Sequence, residues 1–297
     1  MKEIFTIVGG VSAPLPDLSL RQLEYLVAVD DEATWAAAAE RVGVSPSALS
    51  QGLAELERRV GVALFEPAGR RRVLRPAAAP VLDHARQVIA LTRDLLDWSG
   101  RVAGASEGRV RLGMIDVAAV EHFPDVLRGF RADRPDVELT LVVAPSGELH
   151  DLVASGGLDV AVVVEGDRTA AGVSATPLLT EPLVVHGPPG AELGPPTTWG
   201  PWVLFPSGSR TRRQIEAALV ERGAPVEVVA ESHQPDVLRE MVLLGLGWTV
   251  LPRSQGGLDG LTPGDVVAQR RLVLVRRRGS ISDPAVDELA RRLADGA

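Results

Sequence analysis

The 297-residue sequence contains no cysteine and a single lysine, Lys2. The first absence removes thiol catalysis, disulfides, thiolate metal sites and cysteine-based redox sensing. The second removes a Walker-type phosphate loop and a Schiff-base lysine. Histidine is scarce too: His84, His122, His150, His186 and His233 are scattered, with no i, i+4 pair to hold a metal on a helix. There is no GxSxG elbow and no complete GxGxxG. Neither metal nor cofactor is expected. No apolar run approaches the roughly 18 residues that span a bilayer. The opening stretch, MKEIFTIVGGVSAPLP, lacks the long apolar core and small-residue cleavage site of an export signal. It reads as a leader or a misassigned start, and a cytoplasmic protein is expected.

What is present is ordinary for a folded chain: 45% hydrophobic and 24% charged residues, with length for two or three domains. The net charge of −8 suits a nucleic-acid partner only if it is unevenly spread. It is. Residues 40–75 carry seven arginines against four glutamates, a local +3, whereas residues 102–297 carry 19 arginines against 26 acids, a net −7. A local basic patch suffices for phosphate contacts, and an acidic remainder limits indiscriminate binding.

The patch sits in a helical pattern. In residues 19–29, Leu20, Leu23, Leu26 and Val27 share one helical face behind a capping Ser19. A short alanine-rich helix from Thr34 ends near Val42-Gly43. Ser45 then caps, and Pro46 opens, a third helix over 46–60 whose inner stripe is Leu49, Leu53, Leu56 and Val60. Its outer face carries Ser47, Ser50, Gln51, Ala54 and Arg58, short polar groups near a helix N-terminus that suit base edges in a major groove. The following VALFEPAGRRRVLRP reads as a hairpin with Arg70, Arg71 and Arg72 at its tip, a wing for phosphates and the minor groove. Each element alone is also a solvated helix or charged turn; together they point to DNA.

Residues 37–77, AAAERVGVSPSALSQGLAELERRVGVALFEPAGRRRVLRPA, resemble the N-terminal domain of the LysR-type transcriptional regulators. The resemblance implies a winged helix-turn-helix over 18–76, with Ser45, Ser47, Ser50 and Gln51 facing bases or phosphates and Arg70 to Arg72 flanking them. Where the family wing ends Leu-Thr-x-Ala-Gly, this chain has Leu74-Arg75-Pro76-Ala77-Ala78, so the family's Thr contact or cap is missing and Arg75 is the candidate for a phosphate contact in its place.

Residues 77–98 are helical again. Val81, Ala85, Val88, Thr92 and Leu95, with Leu82, Ile89 and Leu96, form a heptad seam. Such a seam either pairs with a second helix or packs on its own domain. The resemblance implies the former: a linker helix that makes a homodimer, assembled further into a homotetramer. Residues 99–108, small and polar, read as a hinge.

From residue 109 strands alternate with helices. Residues 110–115, 137–143 and 158–164 read as strands of a buried, mostly parallel sheet, with helices over 116–131 and 147–154. Further strands are expected at 183–186, 202–205, 226–230 and 247–252, and helices at 211–222, 235–244 and 283–294. The runs Arg134-Pro135-Asp136-Val137, Gly157-Leu158-Asp159-Val160-Ala161 and 245–252 resemble the effector-binding region of the same family. That implies two α/β subdomains like the type 2 periplasmic binding proteins: 109–181 with 266–297, and 182–265, with a small-molecule effector between them.

Residues at strand ends, where such sheets bind ligands, are the candidate lining: Asp116, Val117, Ser146, Phe205, Ser207, Ser209, Ser232, His233 and Trp248. Each serine is as readily a plain helix cap, His233 a structural histidine and Trp248 a core residue. Asp116 favours an amine- or hydroxyl-bearing ligand, small and uncharged or weakly polar. Operator DNA and effector are thus the expected partners, with RNA polymerase a further candidate and no membrane. A free-standing solute-binding protein lacks a use for residues 18–98. An enzyme would have to draw acid-base groups from Asp116, His122 or His233, and no nucleophile, base and orienting group can be assembled around them.

Overall fold

The structure is a computed structural model and describes residues 17–68, 71–102, 108–166, 172–255, 260–281 and 283–297. The chain divides into two compact units, Met1–Ile89 and Ala90–Ala297.

In the first unit, α1 (Leu20–Asp31) begins with a capping box: the Ser19 hydroxyl accepts from the Gln22 amide, and the Gln22 side chain accepts from the Ser19 amide. Thr34 caps α2 (Trp35–Arg41). Ser45 caps α3 (Pro46–Val60), which Gly61 ends in the left-handed region at φ 73°. Leu49, Leu53 and Leu56 are the fully buried stripe, packed with Leu26 and Ala38. The helices approach closely at Gly52, where a Cβ would lie 2.7 Å from the Tyr25 ring. Strands β1 (Phe65–Ala68) and β2 (Arg71–Leu74) form the hairpin, Phe65 opposite Leu74. Glu57 of α3 accepts from the amides of Leu64 (2.8 Å) and Phe65 (3.2 Å), which holds the hairpin against the helix.

Helix α4 (Ala79–Val102) divides the expected seam. Leu82 and Ala85 are buried in the core of the first unit, with Val81, Val88 and Ile89 packed against it. Leu95, Leu96 and Trp98 are exposed. The helix runs past Trp98, so residues 99–102 of the expected hinge are helical, and residues 103–107 lie outside the described residues.

The second unit holds a six-stranded sheet in the order β4-β3-β5-β10-β6-β9. Strands β3 (Arg109–Met114), β4 (Glu138–Val143) and β5 (Val160–Val164) are parallel. The mostly parallel sheet expected from the sequence is corrected here: β6 (Val173–Gly187), β9 (Thr249–Pro252) and β10 (Thr262–Arg277) all pair antiparallel. The reason is the two long strands β6 and β10, which run side by side between two separate cores. One core gathers Leu112, Phe130, Leu149, Val162 and Leu289. The other gathers Trp202, Ile215, Leu238 and Val250, around β7 (Trp202–Leu204) and β8 (Val228–Glu231). Helices α5 (Pro124–Asp133), α6 (Ser146–Ser155) and α9 (Pro284–Asp295) serve the first core, α7 (Arg210–Glu221) and α8 (Pro235–Leu243) the second. The helix expected over 116–131 is broken: a wide turn at Ala118–His122 precedes α5, because Pro124 has no amide to continue it.

His186 on β6 is buried, and neither ring nitrogen has a hydrogen-bond partner among the described residues. Burial disfavours the imidazolium and holds it well below its ordinary 6.5, at about 4. Between those values the unfolded chain takes up the proton first. The stability is therefore fully present above about pH 6.5 and is lost as pH falls through about 4. The full difference is about 3 kcal/mol. His186→Leu is expected to flatten the pH dependence of the urea midpoint over that window; a dependence identical to wild type would refute it.

Candidate functional sites: a recognition face and an inter-core cleft

The outer face of α3 is set by its buried stripe. With Leu49, Leu53 and Leu56 inward, Ser47 and Gln51 are exposed and Ser50 is half-buried. The Ser45 hydroxyl is engaged as the cap, accepting from the Ala48 amide (3.2 Å), and lies 2.9 Å from the Ser47 hydroxyl. Arg58 donates to Glu55 at 2.8 and 2.5 Å, and Arg58 and Arg59 together hold the Glu55 carboxyl down at about 2.

The wing arginines divide. Arg72 lies over the rings of Trp35 (5.6 Å) and Phe65 (5.5 Å) and reaches Glu57 at 3.5 Å, so it packs the wing onto the helices as well as carrying charge. The Arg75 Nε donates to the Phe65 carbonyl (3.2 Å) and sits 3.6 Å from Glu66. Arg70 lies outside the described residues, and Arg71 begins β2. Glu57, which ties wing to helix, escaped the sequence reading because a glutamate on a helix has no local mark of a distant partner.

In the second unit a cavity of about 450 Å³ lies between the two cores. Of the candidate residues, Asp116, Val117, Ser146, Phe205, Ser209 and His233 line it. Ser207, Ser232 and Trp248 do not. Ser232 instead accepts from the Gln234 amide (3.1 Å). Trp248 is buried, stacked on Trp199 with ring centroids 6.3 Å apart, and donates its backbone amide to the Pro201 carbonyl (2.7 Å). This close approach requires Gly247, where a Cβ would lie 2.3 Å from the Pro201 oxygen. Two of the expected lining serines are partly structural. Ser146 accepts from the Val164 amide (3.1 Å), joining the start of α6 to the end of β5, and Ser209 caps α7.

The sequence reading missed the arginines of this cleft: Arg210 and Arg213 on α7 and Arg270 on β10. Arg270 is 3% exposed and donates through Nε to Glu181 of β6 (2.6 Å) and through Nη1 to the Thr211 hydroxyl (3.1 Å). Glu181 also accepts from the Ser254 hydroxyl (2.8 Å) and meets His122 Nε2 at 3.0 Å. Burial pushes the Glu181 carboxyl up, but His122, Arg270 and Ser254 outweigh it and hold it below its ordinary range. A charge pair thus joins the two long strands at the cleft floor.

Comparison with known proteins agrees with this architecture. Residues 20–79 match the bacterial regulatory helix-turn-helix protein, lysR family, and residues 103–297 match the LysR substrate binding domain. A probable hydrogen peroxide-inducible genes activator of Mycobacterium avium is 30% identical over 286 residues, 90% of this chain and 91% of that one. An HTH-type transcriptional regulator of Shigella flexneri, YfeR, is 27% identical, covering 91% of this chain and 92% of its own. The full-length OxyR structure of Pseudomonas aeruginosa shares the fold, with a TM-score of 0.62 at 24% identity over 94% of each chain. With both its helix-turn-helix and its substrate-binding region matched, the chain belongs to the LysR family of DNA-binding transcriptional regulators.

Proposed function

We propose that Ser47, Ser50 and Gln51 on the exposed face of α3 read operator bases, that the wing arginines contact phosphates, and that a small molecule in the inter-core cleft switches the regulator. The observation that carries the second half is the cleft itself. It is walled by two cores joined by two strands, and a ligand that fits one separation of the cores better than another shifts the balance between them. We place the domain limits at 18–76, 77–98 and 109–297, with the subdomains 109–181 plus 266–297 and 182–265.

The peroxide response in the name of the Mycobacterium avium relative does not carry over by a thiol route, since this chain has no cysteine. Leu95, Leu96 and Trp98, exposed along α4, suit a second copy of the chain. A dimer places two recognition helices about 34 Å apart on one face of the DNA. Sedimentation that finds only monomers would remove that pairing. The assembly works in the cytoplasm, where operator and RNA polymerase are.

The DNA half is tested on the DNA upstream of the protein's own gene. Arg70→Ala with Arg71→Ala is expected to weaken binding to all sequences and to lower the salt slope by about 0.9 for each phosphate left without its arginine. Arg72 is kept intact because it also packs on Trp35 and Phe65. An unchanged affinity and slope would take the wing out of the interface.

A further inference from the structure

The cleft has two chemical poles that do not neutralise each other. At its floor, Arg270 is almost wholly buried; two of its nitrogens are engaged by Glu181 and Thr211, but Nη2 has no hydrogen-bond partner among the described residues. An orphaned, solvent-shielded guanidinium donor is costly unless an acceptor meets it. The first turns of α6 and α7, helices of ten and twelve residues, open on the same cleft at Ser146, Gly147 and Ser209. Their leading amides lack helical acceptors, and the helix dipoles add positive potential. This pole calls for an anion with several acceptor oxygens.

The other pole is Asp116, at the end of β3. Although three arginines line the same cleft, Asp116 has no ion-pair partner among the described residues. Burial pushes its carboxyl up, and the nearby Asp236 adds to the shift. A half-buried carboxylate beside a second one is satisfied by a cation.

Resting on the reading of this cleft as the effector site, we infer that its ligand is a small zwitterion of the amino-acid class, its carboxylate on Arg270 and the first turns of α6 and α7 and its ammonium on Asp116. The small, uncharged or weakly polar ligand expected from the sequence took account of Asp116, the strand-end serines and their apolar neighbours; Arg270 adds a buried cation to that lining. The cleft's volume, about 450 Å³, is within the range of small-molecule pockets.

The test uses the full-length protein and thermal shift, followed by calorimetry. The probes are free α- and ω-amino acids, each with its matched carboxylic acid lacking the amine and its matched amine lacking the carboxylate. At least one amino acid is expected to raise the melting temperature, with the matched acid and amine each binding about 10- to 100-fold more weakly, as for loss of a charged hydrogen bond. Asp116→Asn should weaken the amino acid by a similar factor yet leave the residual binding of the matched acid unchanged. Arg270→Lys, which keeps a charge beside Glu181, should weaken both. Silence across the amino-acid panel, equal binding of an acid or amine alone, or an Asp116→Asn variant that binds the amino acid undiminished would each overturn the proposal.

Gly147→Trp separates this failure from failure of the cleft reading. Gly147 lines the cleft and nothing lies within 4 Å of where its Cβ would go, so a Trp there is expected to occlude the cavity, with an unchanged far-UV circular dichroism spectrum checking that the fold is kept. An acid or amine whose binding is abolished by Gly147→Trp leaves the cleft in place and removes the zwitterion. An amino acid that binds Gly147→Trp as well as wild type removes the cleft.

Discussion

Replacing Gln51 by glutamate is expected to lower affinity for the operator about 100-fold while leaving the melting temperature unchanged. The two side chains are nearly the same shape, and position 51 is exposed on α3, so packing of the first unit does not sense the change. What changes is chemistry: the amide's two donors become acceptors, and a negative charge faces the phosphates. A good bidentate base contact contributes about 1–3 kcal/mol of discrimination, and the added repulsion takes the loss to the upper part of that range. Fluorescence anisotropy at one fixed salt concentration measures it, against a non-specific duplex of equal length. Affinity within about threefold of wild type would show that Gln51 faces away from the bases.

Asp94→Ala is expected to destabilise the second unit by about 3–5 kcal/mol, the cost of stripping the partner from a buried charge. Arg277, at the end of β10, is 3% exposed and grips both oxygens of Asp94 at 2.7 and 2.9 Å, while its other terminal nitrogen donates to the carbonyls of Val153 and Leu158. Beside it α4 approaches so closely that a Cβ on Gly156 would lie 2.7 Å from that of Ala90. The pair therefore anchors the later part of α4 to the sheet. Removing both charges with Asp94→Ala and Arg277→Met should restore much of the loss, since no unpaired ion stays buried. Urea unfolding followed by tryptophan fluorescence reports on this unit, which holds Trp98, Trp199, Trp202 and Trp248. A single variant within about 0.5 kcal/mol of wild type would mean that water reaches Arg277.

The first unit was legible because its signals are local. Ser19, Thr34 and Ser45 cap the helices they precede in sequence, Gly61 stops α3, and the spacing of Leu49, Leu53 and Leu56 sets the inner face within one helix. The alternation of the sensor region placed β3, β4, β5, β7, β8 and β9, and brought six of its nine candidate residues to the cavity, for the same reason: strand ends and helix starts adjoin along the chain.

Tertiary structure decided what depends on partners far away in sequence. β6 and β10 carry Pro177, Pro182, Pro263 and Gly264, which read as breakers. They form long strands because each finds an antiparallel partner and absorbs the misfit in bulges. From that pairing comes the Arg270–Glu181 contact, 89 residues apart, and with it the charge of the cleft. Trp248 went to the core because Gly247 lets its backbone reach Pro201, and the heptad of α4 was split because Leu82 and Ala85 pack into the core of the first unit while Leu95 and Leu96 stay exposed. Periodicity shows that a face is apolar; only the packed chain determines what covers it.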